Sequence, residues 1–158
     1  MSAAQHPLRI HLEFTSAFEM VDFVEVVGGH VSRQIGLDED AMHWVAVAIR
    51  ECVINAIKHG NRHDRSKRVF VDFATELQTI PELTIRVRDQ GQGFDPDAVA
   101  DPLAPENLLK GSGRGIFLIR NFMDEVALQR APQGGMEVRM VKCVQPAEGT
   151  DAAGSVGV

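Results

Sequence analysis

The feature that most constrains the fold is a continuous, largely apolar run at residues 38–60, DEDAMHWVAVAIRECVINAIKHG. Asp38 is suited to cap the amino-terminal end of a helix, and the acidic Glu39 and Asp40 are typical of a first helical turn. Gly60 is typical of a residue that ends a helix. The run therefore predicts one long helix whose apolar sides pack against the rest of the protein.

Three polar side chains interrupt the apolar character near the end of this helix. Glu51, Asn55 and His59 recur at intervals of four and therefore fall on one helical face. A buried polar group without a hydrogen-bond partner costs about 1–3 kcal/mol. A Mg²⁺ ion with its waters would satisfy the Asn55 oxygen, and Glu51 could orient or deprotonate a hydroxyl group. Taken alone, the pattern fits polar groups at the solvent margin equally well, and the helix dipole can by itself explain His59.

Alternating and helical patterns predict the elements around this helix. Apolar and polar residues alternate at 8–14, and a helical pattern follows at about 17–34, weakened by Gly28 and Gly29 and ended by Gly36. The later segments are two strands at 69–77 and 83–89, a long Pro-rich connection, a helix at 116–123 and a hairpin of strands at 126–130 and 137–144. This order predicts an α+β fold with helices on one face of a sheet.

The bulk composition is that of a single globular domain. The 158 residues are 44% hydrophobic and 24% charged, and the net charge of −6 argues against sequence-independent binding of nucleic acid. Cys52 and Cys143 show neither a metal-ligand spacing nor a disulfide framework, so we expect buried free thiols in a reducing compartment. No segment resembles a signal peptide or a membrane span, so we expect a cytoplasmic protein with a loose tail at residues 145–158.

A second motif, Asp89-Gln90-Gly91-Gln92-Gly93, directly follows the strand predicted at 83–89. A carboxylate at the end of a strand can accept a hydrogen bond from an exocyclic amine. The glycines let the backbone turn tightly and let a flat ligand lie close to it. As an isolated match, the motif is more often simply a turn that enters a loop.

A third motif, Gly111-Ser112-Gly113-Arg114-Gly115, precedes the apolar helical segment. Free backbone N–H groups at a helix N-terminus suit phosphate binding, and Lys110 and Arg114 could add positive charge. The motif lacks the Gly-Lys-Ser/Thr of a Walker A loop and does not match the dinucleotide-binding fingerprint. Alone, it is a weak indication of a phosphate site.

Taken together and in this order, the three motifs resemble the Bergerat-type (GHKL) ATP-binding fold of gyrase, Hsp90, histidine kinases and MutL. The resemblance implies a two-layer α/β sandwich with a mixed, mostly antiparallel sheet and helices on one face. It implies that Asn55 holds Mg²⁺, that Glu51 is the general base and that Asp89 reads adenine. The remaining ATP-binding residues that it implies are His59, Gly91, Gly93, Lys110, Gly111, Ser112, Gly113, Arg114 and Gly115, with residues 94–112 as the ATP lid.

Within this fold, ECVINAIKHGN and FLIRNFMDEV are similar to the anti-sigma-factor serine kinases of the RsbW and SpoIIAB type. The resemblance spans about residues 8–143, so we expect one domain at 1–144 and the tail after it. It implies a protein that sequesters a sigma factor and phosphorylates a Ser or Thr of a STAS-domain antagonist, using ATP and Mg²⁺. A homodimer, formed through the sheet edge or the first helix, is also expected from the family.

Two departures from the family pattern leave an alternative open. Gly111 stands where relatives often carry an Arg before Ser112, so Lys110 or Arg114 must substitute or phosphoryl transfer is weakened. Gly135 is followed by Met136 rather than by the usual Thr, which puts adenine contacts there in doubt. The second hypothesis is therefore a non-catalytic, ATP-gated module that regulates a partner by sequestration. A third treats the motifs as turns of a nucleotide-free scaffold.

Overall fold

The computed structural model describes residues 6–93 and 114–146, and for residues 114–117 it describes the backbone alone. The elements in chain order are strand β1 (Arg9–Thr15), a 3₁₀ turn (Phe18–Met20), helix α1 (Val21–Gln34), helix α2 (Glu39–Asn55), a π-helical turn (Ala56–Gly60), strands β2 (Arg68–Glu76) and β3 (Glu82–Arg88), helix α3 (Arg114–Phe122), and strands β4 (Glu125–Arg130) and β5 (Met136–Cys143). The lid predicted at 94–112 and the tail from residue 147 onward lie outside the described residues.

The five strands form one sheet in the order β1-β2-β3-β5-β4. All four pairings of neighbouring strands are antiparallel, so the sheet is antiparallel rather than mixed within the described chain. The residues that alternate inward on β2 and β3 are fully buried against the helices: Val69, Val71, Phe73, Leu83, Ile85 and Val87. The predicted α+β architecture, with helices packed on one face of the sheet, is confirmed.

Helix α1 continues without a break through Gly28 and Gly29, although the sequence predicted a weak middle. A Cβ atom on Gly28 would overlap Ile49 Cδ1, so this glycine lets α1 pack closely against α2. The predicted end of the helix at Gly36 is confirmed by its left-handed backbone, with φ +86°. Close packing between the two helices therefore outweighs the poor helical propensity of Gly28.

Helix α2 begins as predicted, because the Asp38 side chain accepts a hydrogen bond from the backbone N–H of Ala41 at 2.7 Å. Its carboxyl-terminal end differs from the prediction of one uniform helix. Regular α-helix ends at Asn55, and a wider π-helical turn continues from Ala56 to Gly60, closed by the Asn61 N–H donating to the Ala56 carbonyl at 2.7 Å. Such turns are rare and occur often at functional sites.

The two cysteines occupy different environments, so the prediction of two buried thiols is wrong for one of them. Cys52 is fully buried in α2, and burial raises the pKa of its thiol to about 12, which keeps the thiol protonated at neutral pH. Cys143 is only half-buried, because it lies at the end of β5. Both are free thiols.

Within residues 6–93 and 114–146, no helix is long and apolar enough to cross a membrane.

Candidate functional site

Asp89 lies directly after β3, as the sequence predicted, and its side chain is buried, with 5% of its surface exposed. Its backbone N–H donates to the Met136 carbonyl at 3.1 Å, so main-chain hydrogen bonding to the first residue of β5 continues beyond β3. The carboxylate oxygen Oδ1 accepts hydrogen bonds from the backbone N–H groups of Gly91 at 2.9 Å and Met136 at 3.2 Å. One carboxylate oxygen is thus held by the backbone, which fixes the direction of the second.

The electrostatic setting of Asp89 is unfavourable to its charge. Burial raises the pKa of the carboxyl group above its usual value, and the two backbone N–H groups together with Lys67 and Arg88 only partly oppose this effect. A buried carboxylate whose charged form is disfavoured in this way is a candidate for function rather than for stability.

Three glycines from separate segments approach Asp89 so closely that no side chain fits between. A Cβ atom on Gly60 would overlap the Asp89 carboxylate, and one on Gly135 would overlap the Asp89 carbonyl oxygen. A Cβ atom on Gly91 would overlap the Gly60 carbonyl oxygen. Gly93, with φ +68°, lies next to the Gly135 carbonyl. Sequence reasoning had explained Gly91 and Gly93 by close backbone approach, but it treated Gly60 only as a helix end and missed the packing role of Gly135.

Asn61 is a second residue that sequence reasoning missed. Its side chain is fully buried, and its Nδ2 donates to Ser16 Oγ at 3.1 Å and to the Arg68 carbonyl at 2.9 Å. Its Oδ1 accepts from the Gln90 N–H at 2.8 Å. One carboxamide therefore joins the end of β1, the start of β2 and the loop that carries Asp89. A polar residue after a helix-ending glycine looks like an ordinary turn residue in the sequence, and its distant partners Ser16 and Gln90 leave no local pattern.

Glu51 and Asn55 lie on the same face of α2, and both are half-buried. Neither side chain has a hydrogen-bond or ion-pair partner among the residues that the structure describes, so both remain available to a ligand. The same part of the chain contains no group of three His, Cys, Asp or Glu residues that could hold a metal ion. A Mg²⁺ ion held through the Asn55 oxygen would therefore take its other ligands from waters and phosphates, which is the usual mode for this ion.

The two ends of this face are separated by a distance that suits a nucleotide. Gly60 contacts Asp89, and Glu51 precedes Gly60 by nine residues, which corresponds to about 13 Å along a helix axis. This length is comparable to that of an extended nucleoside triphosphate. His59 is exposed in the π-helical turn, where the wider winding changes its angular position relative to the one predicted for an α-helix.

Helix α3 begins at Arg114, so the third motif does lead into a helix, with Gly115 in the first turn. The predicted ATP-binding residues Lys110, Gly111, Ser112 and Gly113 lie outside the described residues, and the side chain of Arg114 is not described either. The structure therefore places the last two residues of the motif, Arg114 and Gly115, in the first turn of α3.

The carboxyl-terminal half of α3 is fixed to α2. Phe122 stacks on Trp44 with a centroid distance of 3.5 Å and an interplanar angle of 2°, and Ile119 and Met123 are buried in the core. Lys142 Nζ donates to the Phe122 carbonyl at 2.8 Å. Trp44 thus joins the helix that carries Glu51 and Asn55 to the helix that begins at the third motif.

An antiparallel sheet with helices on one face, a buried Asp after a central strand and a polar face on the neighbouring helix define a nucleotide-binding ATPase-type domain. Residues 16–142 match the protein family described as the histidine kinase-like ATPase domain. The chain belongs to this family, and the resemblance that the three motifs carried is confirmed.

The curated relatives cover most of the chain. It is 28% identical to the anti-sigma F factor of Bacillus subtilis over 137 residues. The aligned region covers 84% of this chain and 90% of that protein. It is 32% identical over 135 residues to the anti-sigma F factor of Oceanobacillus iheyensis, covering 83% and 89% of the two chains. The serine-protein kinase RsbW of Staphylococcus epidermidis is 27% identical over 142 residues, covering 86% and 87%.

Proposed function

We propose that this protein is an ATP-dependent protein-serine/threonine kinase that acts as an anti-sigma factor. It sequesters a sigma factor in the cytoplasm and phosphorylates a STAS-domain antagonist that competes for it. The observation that carries the proposal is the buried Asp89, enclosed by glycine backbones at one end of the polar face of α2, in a chain similar to anti-sigma F factors and RsbW.

Asp89 recognises the adenine base. Its Oδ1 is occupied by two backbone N–H groups, and its Oδ2 accepts a hydrogen bond from the exocyclic amine. Gly60, Gly91 and Gly135 let backbone pack directly around Asp89, which holds its carboxylate in place for the base. A hydrogen bond to a charged group contributes about 1.5–3 kcal/mol, which is enough to select adenine over a base without that amine.

The phosphates extend along α2 toward Glu51. Asn55 would hold Mg²⁺, which would supply positive charge at the phosphates, and the backbone N–H groups of Gly111, Ser112, Gly113 and Gly115 would bind the phosphate oxygens. Relatives often carry an Arg at the position of Gly111, and in this chain Lys110 and Arg114 supply the positive charge instead. His59 lies near the nucleotide. The hydroxyl oxygen of the substrate forms a bond to the γ-phosphorus, the bond to the leaving ADP oxygen breaks, and the hydroxyl proton passes to Glu51.

The partners follow from the same proposal. One STAS-domain protein is the phosphoryl acceptor, one sigma factor is the sequestered target, and the protein itself is a homodimer. The side chains of Glu51 and Asn55 are half-buried and have no partner within residues 6–93 and 114–146, which leaves this face open to the acceptor hydroxyl. A non-catalytic, ATP-gated binding module is the second candidate, and Gly111 before Ser112 is the feature that favours it.

Transfer of labelled phosphate from ATP to a STAS-domain protein of the same organism tests the kinase directly. We expect Glu51→Gln to lower the transfer rate by about 100-fold or more, because the proton acceptor is lost, and to leave ATP affinity unchanged. Glu39→Gln, an exposed residue in the first turn of the same helix, is the matched control and should transfer at the wild-type rate. Transfer by the Glu51→Gln variant at the wild-type rate would remove Glu51 from its role, and no transfer by the wild type would favour the binding module.

A further inference from the structure

The main-chain pairing of β2 with β3 ends irregularly at the candidate site. The register places Phe70 opposite Arg88. Continued by two residues, the same register would place Arg68 opposite Gln90, where a regular antiparallel ladder joins the main chains directly. In the structure the Arg68 N–H donates to the side-chain oxygen Oε1 of Gln90 at 2.7 Å, and the Arg68 carbonyl accepts from Asn61 Nδ2 at 2.9 Å. Side-chain amides therefore replace direct main-chain pairing at this point of the sheet.

Asn61 fills the space between the two strand ends. Its Nδ2 donates to the Arg68 carbonyl, and its Oδ1 accepts from the Gln90 N–H at 2.8 Å. One carboxamide thus bridges two main-chain groups that would otherwise meet each other. The side chain of Asn61 is fully buried, and its Nδ2 also donates to Ser16 Oγ at 3.1 Å, so it is fixed in this position.

The loop after β3 keeps ordinary main-chain pairing on its other side. The Asp89 N–H donates to the Met136 carbonyl at 3.1 Å, which continues the pairing of β3 with β5. The same loop is therefore held by the backbone of β5 on one side and by the amides of Asn61 and Gln90 on the other. These two amides set the distance between the loop and β2.

The residue before Asn61 connects this arrangement to the Asp89 carboxylate. A Cβ atom on Gly60 would overlap Asp89 Oδ2, and a Cβ atom on Gly91 would overlap the Gly60 carbonyl oxygen. Oδ2 is the carboxylate oxygen that the N–H groups of Gly91 and Met136 leave free, because both donate to Oδ1. Since Asn61 is fixed between the strands, Gly60 is held against Oδ2, and the direction of this oxygen depends on Asn61.

We propose that Asn61 and Gln90 are positioning residues for recognition of the base. Their amides hold the loop after β3 so that Asp89 Oδ2 points at the exocyclic amine of adenine, and both residues act through Asp89. The inference rests on the adenine role of Asp89 in the proposed function and adds to it a source of selectivity. A hydrogen bond weakens steeply when it is misaligned, so a small rotation of the carboxylate lowers the affinity for adenine and leaves phosphate binding unchanged.

Titrations with ATP and with the triphosphate of purine riboside, which lacks the exocyclic amine, test this assignment. We expect the wild type to bind ATP more tightly by about tenfold or more, because a hydrogen bond to a carboxylate is gained. Gln90→Ala removes the bond to the Arg68 N–H at an exposed side chain, and we expect it to lower this preference by about threefold, through weaker ATP binding alone.

Two further variants of exposed carboxamides complete the comparison. Gln90→Glu keeps an oxygen that can accept from the Arg68 N–H, so it should retain the preference that Gln90→Ala loses. Gln78→Ala, which removes an exposed carboxamide between β2 and β3 at the opposite end of the sheet, is the matched control and should behave as the wild type does.

Asn61→Ala removes the bridging amide and should abolish most of the preference for ATP. In this background Asp89→Asn should lower ATP affinity little further, because both substitutions remove the same hydrogen bond to the base. Additive effects of the two substitutions, or an equal loss of affinity for both triphosphates, would limit Asn61 to a role in stability and overturn the inference. Thermal melts accompany the titrations, and if Asn61→Ala does not fold, the two Gln90 variants decide.

The wild type separates this inference from the proposed function. Equal affinity of the wild type for the two triphosphates would contradict the adenine role of Asp89, and the inference would fall with it. A wild-type preference for ATP that persists in Gln90→Ala and in Asn61→Ala would overturn the inference and leave the proposed function intact.

Discussion

Asp89 is the single residue whose setting most strongly supports the proposed nucleotide site. It is buried, its pKa is raised by that burial, and three glycines bring backbone against it. An Asn of the same shape would keep the hydrogen bonds from Gly91 and Met136 without the charge. Asp at position 89 therefore stabilises the fold less than Asn would, which is expected of a carboxylate that binds a ligand.

Asp89→Asn should separate stability from nucleotide binding. The pKa of Asp89 is higher in the folded state than in the unfolded state. The free energy of unfolding of the wild type therefore falls as the pH rises from the unfolded-state pKa through the folded-state pKa, and the variant does not show this fall. Above the window we expect the variant to be at least as stable as the wild type, with the difference vanishing at lower pH. We also expect its ATP affinity to fall about 10- to 100-fold, because a charge-assisted hydrogen bond is lost. Thermal melts at several pH values and ATP titrations measure both effects, and unchanged ATP affinity would contradict the adenine role.

The buried hydroxyl group of Ser32 lowers the stability of the fold without a visible compensating contact. Its side chain is fully buried in α1, and its Oγ has no hydrogen-bond partner within the described residues. We expect Ser32→Ala to increase the free energy of unfolding by about 1 kcal/mol, because the unsatisfied hydroxyl is removed. Chemical denaturation of the wild type and the variant checks this. A destabilised Ser32→Ala variant would show that the hydroxyl has a partner in the native protein.

At the level of secondary-structure elements, the sequence was most informative where periodicity and capping are local. Alternation predicted β2 and β3 to within one residue, and Asp38 predicted the start of α2. The π-helical turn at Ala56–Gly60 was missed, because it follows from Asn61 and Gly60 reaching partners far away in the sequence. Local propensity does not indicate partners that are distant in the sequence. Asn61 and Gly60 contact the loop that carries Asp89 and so position it.

The stack of Trp44 on Phe122 positions one element against another, and its removal should affect the site at a distance. We expect Trp44→Ala to destabilise the fold by about 1–2 kcal/mol and to weaken ATP binding, because α3 loses its contact with the helix that carries Asn55. Trp44→Phe retains an aromatic ring and should recover most of the ATP affinity. His43→Ala removes the edge-on neighbour of Trp44 while leaving the stack, and serves as the control. Equal ATP affinity in the Ala and Phe variants would limit Trp44 to a role in stability.

For the whole molecule, the fold class was predictable and the strand order was not. The hairpin of β4 and β5 could be read from the sequence, but the insertion of β5 between β3 and β4 depends on long-range pairing. That insertion brings Gly135 and Met136 to Asp89, so the site exists only in the assembled sheet. The three sequence motifs contain the candidate residues, and the sheet order supplies the neighbours that make Asp89 a candidate base-reading group.

The most direct test of the central claim is calorimetric titration of the protein with ATP, with and without Mg²⁺, alongside Asn55→Ala. We expect Mg²⁺-dependent binding to the wild type and a variant in which Mg²⁺ no longer increases affinity, because the proposed site assigns to Asn55 the protein oxygen that holds the ion. Gln145→Ala, an exposed carboxamide after β5, should behave as the wild type. Absence of ATP binding to the wild type in both buffers would contradict the account.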